Sequence, residues 1–116
     1  MVLLDTEEAT EEAVSQDGLR VLGNLSLNAG TDRLRVGGAM IETTYYELEL
    51  LRLLFDQPDR IIDYTEITQT LWESSDRVAL GHLNVLVHRL RAKLAESSPY
   101  VIETVRGRGY GLIRAR

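Results

Sequence analysis

Leu83-Asn84-Val85-Leu86-Val87-His88-Arg89-Leu90-Arg91-Ala92-Lys93-Leu94 is the stretch whose periodicity decides the fold. At about 100° per residue, with Leu83 at zero, Val87, Leu90 and Leu94 fall within about 40° of it. Asn84, His88 and Arg91 cluster between about 80° and 140°, and Arg89 lies near 240°. The pattern predicts a helix that buries one stripe and offers a convex polar face of Asn84, His88, Arg89 and Arg91, residue types that read base edges or hold phosphates.

Downstream, Ser97-Ser98-Pro99 stops the helix, Val101–Arg106 reads as a strand, Gly107-Arg108-Gly109 as a tight turn and Tyr110–Ile113 as the returning strand. Arg106 and Arg108 sit at or near the tip of that hairpin. Upstream, Asp63 and Glu66 mark a helix start, and Ile67, Leu71 and Trp72 give a short second helix one apolar side. Before it, Thr44 and Glu47 form a Thr-x-x-Glu capping box, followed by Leu48, Leu51, Leu54 and Phe55 at helical spacing as far as about Gln57. Earlier still the period is two: Leu19–Leu22, Leu25–Leu27, Arg33–Val36 and Ala39–Glu42 are short runs separated by turn residues, with Gly37-Gly38 as a hairpin signal. The expected class is α+β: an N-terminal antiparallel β-meander, three helices forming a helix-turn-helix, and a C-terminal β-hairpin wing. That plan supplies one element for each groove of a duplex.

Composition bounds the reading. A chain of 116 residues has room for one hydrophobic core, and 44% apolar with 27% charged residues is a globular balance. There is no cysteine, which excludes disulfides, thiolate metal sites and a cysteine nucleophile. No run approaches the roughly eighteen apolar residues of a membrane span, so the expected setting is soluble and cytoplasmic, with no membrane partner. The net charge of −5 speaks against a nucleic-acid partner until its distribution is read. Residues 1–18 carry −6, whereas residues 81–116 carry +5. The first segment is expected to be an acidic tail or linker remnant, disordered or a frayed helix, that would repel phosphates; residues 19–116 form the folded domain.

The residues also resemble a known family, the OmpR/PhoB-type effector domains of bacterial two-component response regulators, over about residues 19 to 114. Thr44-Tyr45-Tyr46-Glu47-Leu48-Glu49-Leu50-Leu51 is similar to that family's first helix start and Pro58-Asp59-Arg60-Ile61-Ile62 to its inter-helix turn. Leu71-Trp72 resembles its Val-Trp, Leu83–Leu94 its recognition helix, and Glu103-Thr104-Val105-Arg106-Gly107-Arg108-Gly109-Tyr110 its wing. The resemblance implies a transcription factor whose third helix enters the major groove of double-stranded DNA while the wing reaches the neighbouring minor groove. It places Arg89, Arg91, Thr104 and Arg106 at family DNA contacts; Asn84, His88 and Arg108 join them by location. It also implies tandem pairs on DNA and contact of the Glu73–Ala79 loop with RNA polymerase or its sigma subunit. The departures are Gly81, where the family usually has arginine, Leu86, where it usually has histidine, and Asn84 and His88, which rewrite part of the contact set. The family normally carries an N-terminal phosphoacceptor domain, for which this length has no room.

Other readings have less behind them. Arginines on a helix face are commonly solvated charges, but here they lie opposite an apolar stripe and beside a cationic hairpin. His82 and His88 are six apart and do not share a face at metal spacing, so neither metal nor cofactor is expected. Gly107-x-Gly109-x-Gly111 leads into a strand, which excludes a phosphate loop. Trp72 reads as core packing. No local constellation suggests an enzyme. The rival is a winged helix used for protein contact with weak or no DNA binding, and it differs from a duplex binder in its salt response.

Overall fold

The computed structural model describes residues 18–115, and the acidic stretch 1–17 lies outside the described residues. Strands β1 (Leu19–Leu22), β2 (Leu25–Asn28), β3 (Arg33–Val36) and β4 (Ala39–Ile41) form an antiparallel sheet in sequence order. Alternation sets its inner face: Leu25 pairs with Val36, Leu27 with Leu34, and all four are buried. Gly37 and Gly38 both take positive φ, the geometry a two-residue hairpin needs.

Helix α1 (Tyr45–Asp56) begins at the expected capping box. The Thr44 amide donates to Glu47 Oε1 at 2.9 Å, and the Glu47 amide donates to Thr44 Oγ1 at 3.3 Å. Leu48, Leu50, Leu51, Leu54 and Phe55 are buried. Glu47 is buried too, at 1% exposure, because Lys93 at the end of the third helix donates to its Oε1 at 2.5 Å. One carboxylate thus caps α1 and ties it to a residue 46 positions away. Burial alone would raise its pKa; the Lys93 ammonium and the Thr44 amide and hydroxyl outweigh that and hold it below its ordinary value.

Strand β5 (Ile62–Asp63), helix α2 (Tyr64–Trp72) and helix α3 (Arg77–Lys93) follow, then strands β6 (Tyr100–Val105) and β7 (Gly109–Arg114). The second sheet has the order β5-β7-β6. The two-residue β5 has no counterpart in the sequence reading, since two residues carry no period; it pairs Ile62 with Tyr110 and Asp63 with Gly109. That pairing requires glycine in β7. A Cβ on Gly109 would lie 1.8 Å from the Ile62 carbonyl oxygen, and one on Gly111 would lie 2.2 Å from that of Arg60. Asp63 takes the N-cap position of α2 as expected, but its side chain makes no capping bond. Trp72 packs against the core from its margin and is only half-buried. Ile67, Leu83, Val87, Leu90, Leu94, Ile102, Tyr110 and Leu112 join the α1 leucines and the inner face of the first sheet in one core. No helix among the described residues is long and apolar enough to cross a membrane.

Candidate nucleic-acid interface

Asp76 starts α3, its Oδ1 accepting from the Ala79 amide at 2.9 Å, and Arg91 and Lys93 lie in the last turn, where cations suit the helix dipole. Ala79, Leu83, Leu86, Val87 and Leu90 are buried, so the outer face is left to the residues between them. Asn84, His88, Arg89 and Arg91 are all exposed there, as their angular positions predict. The face is less polar than expected, because Val78 at 63%, Val85 at 49% and Leu80 at 41% exposure are interspersed with them.

Asn84, His88 and Arg91 line one shallow cleft together with Val85 and Val87. Arg91 does not simply project into it. Its Nε and one Nη donate to the Ile102 carbonyl at 3.2 and 3.0 Å, and the same Nη donates to Thr104 Oγ1 at 2.6 Å. Arg91 and Thr104, both expected to face a ligand, are therefore bonded to each other, and their link ties β6 to α3. Asn84 Oδ1 accepts a hydrogen bond from the Tyr110 hydroxyl at 3.2 Å. Burial pushes the Tyr110 phenol up from its ordinary pKa and nearby Tyr64 adds to this, with Arg91 opposing, so the group stays a neutral donor.

Arg89 belongs to a different part of the face. It lines a groove with Thr44, Tyr46, Trp72, His82, Val85 and Leu86. Within that groove the Tyr46 and Trp72 rings lie 5.5 Å apart and those of Trp72 and His82 5.8 Å apart. No sequence pattern announces this aromatic column, because its members come from three helices.

The hairpin forms, but its turn lies one residue earlier than expected. Arg106 stands in the turn and not at the end of the strand, and Gly109 opens the returning strand because it pairs with Val105 and Asp63. Val105 pairs with Gly109, and the Arg108 amide donates to the Val105 carbonyl at 2.9 Å. Arg106, Gly107 and Arg108 stand beyond the last pair, all exposed. Among the described residues no hydrogen bond or ion pair engages the side chains of Arg89 or Arg106. Arg108 Nε comes within 4.0 Å of Asp63 Oδ1, a pair open to water on both sides and worth little. The hairpin root is held through α2: the Tyr64 amide donates to the Arg108 carbonyl at 2.9 Å and the Tyr64 hydroxyl to that of Val105 at 3.4 Å. Asn84, His88, Arg91 and Thr104 thus form a connected set, whereas Arg89 and the tip arginines stand apart from it. Tyr110, which donates to Asn84, is named in the sequence only as part of the returning strand and of the stretch that resembles the wing.

Residues 38–112 match the family model described as transcriptional regulatory protein, C terminal. The response regulator protein PmrA of Pseudomonas aeruginosa is 34% identical over 107 residues, covering 92% of this chain and 46% of that protein. The chain therefore spans about half the length of this relative. Among solved structures, the DNA-binding domain of CpxR from E. coli superposes with a TM-score of 0.75 at 24% identity, covering 84% of this chain and 98% of that one. The Klebsiella pneumoniae RstA DNA-binding domain, solved in complex with the RstA box, gives 0.73 at 24% identity, covering 82% and 96%. At these identities the two structures speak for the fold alone. The family match, together with the winged-helix architecture described above, places the chain among the OmpR/PhoB-type C-terminal domains of transcriptional regulatory proteins.

Proposed function

We propose that this chain binds double-stranded DNA in a sequence-specific manner as the output domain of a bacterial response regulator, with α3 in the major groove and the β6–β7 wing in the adjacent minor groove. The observation that carries the reading is the Arg91 bridge to Ile102 and Thr104, which holds the exposed helix face and the cationic hairpin on one frame. In this reading Asn84 and His88 face base edges, Arg89 and Arg106 supply guanidinium groups, without a partner among the described residues, for phosphate or base, Arg91 and Thr104 couple the two elements, and Arg108 adds charge at the tip. The Glu73–Ala79 loop is the proposed contact for RNA polymerase or its sigma subunit, tandem pairing on DNA the proposed assembly, and the cytoplasm the proposed setting.

The exposed Val78, Leu80 and Val85 give the second reading, a protein-contact module, its one specific support. Selection of bound duplexes from a random pool, followed by salt titration on the winner, separates the two. A duplex binder loses affinity with a log–log slope of about −0.9 per neutralised phosphate. Recovery of no preferred duplex, or a flat salt response, overturns the DNA reading.

A further inference from the structure

We propose that Tyr110 is a specificity-determining positioning residue: by donating to Asn84 Oδ1 it turns the amide so that its oxygen faces the protein and its NH2 group faces the ligand, making Asn84 a donor-only reader. The inference rests on the DNA reading above and deepens it. Tyr110 is 5% exposed, and Asn84 is the hydroxyl's one partner among the described residues. Asn84 itself is exposed on the outer face of α3, so its free half meets whatever binds there. The ring is held by edge-on contact with Tyr64 at 5.4 Å and by the pairing of its backbone with Ile62 and Thr104. Beside the bond, Tyr64, Leu80, Leu83, Asn84 and Tyr110 line a cleft of about 250 Å³, so the hydroxyl rather than crowding sets the orientation of the amide.

The chemical consequence follows from the base edges. An amide with both ends free pairs with adenine by giving to N7 and accepting from the N6 amino group. With its oxygen turned inward it only gives, which suits guanine N7 and O6 or thymine O4, reaches adenine at N7 alone, and leaves it no way to accept from the cytosine amino group. Asn84 therefore selects an acceptor-bearing edge and rejects cytosine.

The test is duplex selection with the wild-type chain, Tyr110→Phe and Asn84→Asp, followed by titration of the selected duplex and its single-base variants at one salt concentration. Wild type is expected to prefer guanine or thymine over cytosine at one position by about tenfold, within the range of a single base-edge contact. Tyr110→Phe keeps the ring and frees the amide, so that position is expected to admit cytosine and to gain on adenine, whose N7 and N6 amino group the freed amide can pair together, while the salt slope stays unchanged. Asn84→Asp keeps the acceptor for the phenol but has nothing to give, and is expected to move the preference to cytosine; it serves as the independent arm if Tyr110→Phe does not fold. An unchanged preference in the folded Tyr110→Phe or Asn84→Asp chain overturns the inference. So does a uniform loss on all sequences, which would make Asn84 a phosphate ligand. If wild type selects no duplex, the DNA reading itself fails and this inference with it.

Discussion

In the N-terminal sheet every arginine is engaged within the molecule: Arg20 with Asp56 and the Phe55 carbonyl, Arg33 with Met40 Sδ at 3.4 Å, and Arg35 with the Gly38 carbonyl at 3.0 Å. In the C-terminal sheet the Arg106 and Arg114 side chains have no hydrogen bond or ion pair among the described residues, and Arg108 has one distant carboxylate. Both sheets contain hairpins closed by glycine with positive φ. The difference lies in where the cations sit relative to the turn. Arg33 and Arg35 lie within paired strands, where the chain returning through Gly37-Gly38 supplies acceptors, whereas Arg106 and Arg108 flank Gly107 beyond the last pair, where among the described residues no side-chain hydrogen bond forms to the returning strand. The same residue type serves cohesion in one hairpin and remains available to an outside partner in the other.

That contrast can be broken at four points. The largest effect is expected from Lys93→Met, which leaves the buried Glu47 carboxylate without its cation. Urea unfolding at neutral pH should show a loss of about 3 kcal/mol, the lower end for removing one member of a buried pair. Because the folded-state pKa of Glu47 is depressed, its stabilising contribution is present above the unfolded-state pKa and lost as pH falls through the folded one. The difference between wild type and Lys93→Met should therefore shrink in acid, and a constant difference across that range would show that Glu47 is not its source. Next, Arg89→Ala combined with Arg106→Ala should weaken a selected duplex about a hundredfold, near 2.7 kcal/mol, and flatten the salt slope, with the melting temperature unchanged.

Gly81→Arg sharpens the contrast from the other side. A Cβ at Gly81 meets nothing within 4 Å, so the substitution adds a cation to the open face of α3 without a clash. Duplex affinity should rise about tenfold, with a gain of up to about 1 kcal/mol in stability from replacing helical glycine. The smallest effect is expected from Arg20→Ala, a partly exposed pair whose removal should cost less than about 1 kcal/mol in unfolding and leave duplex affinity where it was. A loss of affinity there would dissolve the division between cohesive and available arginines.

Local patterns made much of the fold legible. The capping box at Thr44 and Glu47, the alternation of Leu25 with Leu27 and of Leu34 with Val36, and the helical stripe of Leu83, Val87 and Leu90 depend on neighbours a few residues away. What escaped depends on distance in sequence. Nothing around Glu47 announces Lys93, and nothing around Arg91 announces the Ile102 carbonyl that turns it from an outward cation into a brace. The Tyr46–Trp72–His82 column draws one ring from each of three helices, and β5 is too short to carry a period. At the interface, angular placement located the exposed residues of α3 correctly. It could not say that Asn84 and Arg91 would already be bonded to the wing strand and Tyr110, because hydrogen bonds between elements leave no periodic trace.

The two glycines of β7 have a consequence for how the hairpin can change. Gly109 and Gly111 rest against the Ile62 and Arg60 carbonyls with no space for a methyl group, while a Cβ at Gly107 would stand in open solvent. The base of the finger is therefore seated without clearance, and its nail is not. The side chains at 106 and 108 can be exchanged without shifting the mount that aims them, whereas Gly107 holds a positive φ of 76° that favours glycine, so altered groove preference and altered aim are separable properties of this domain.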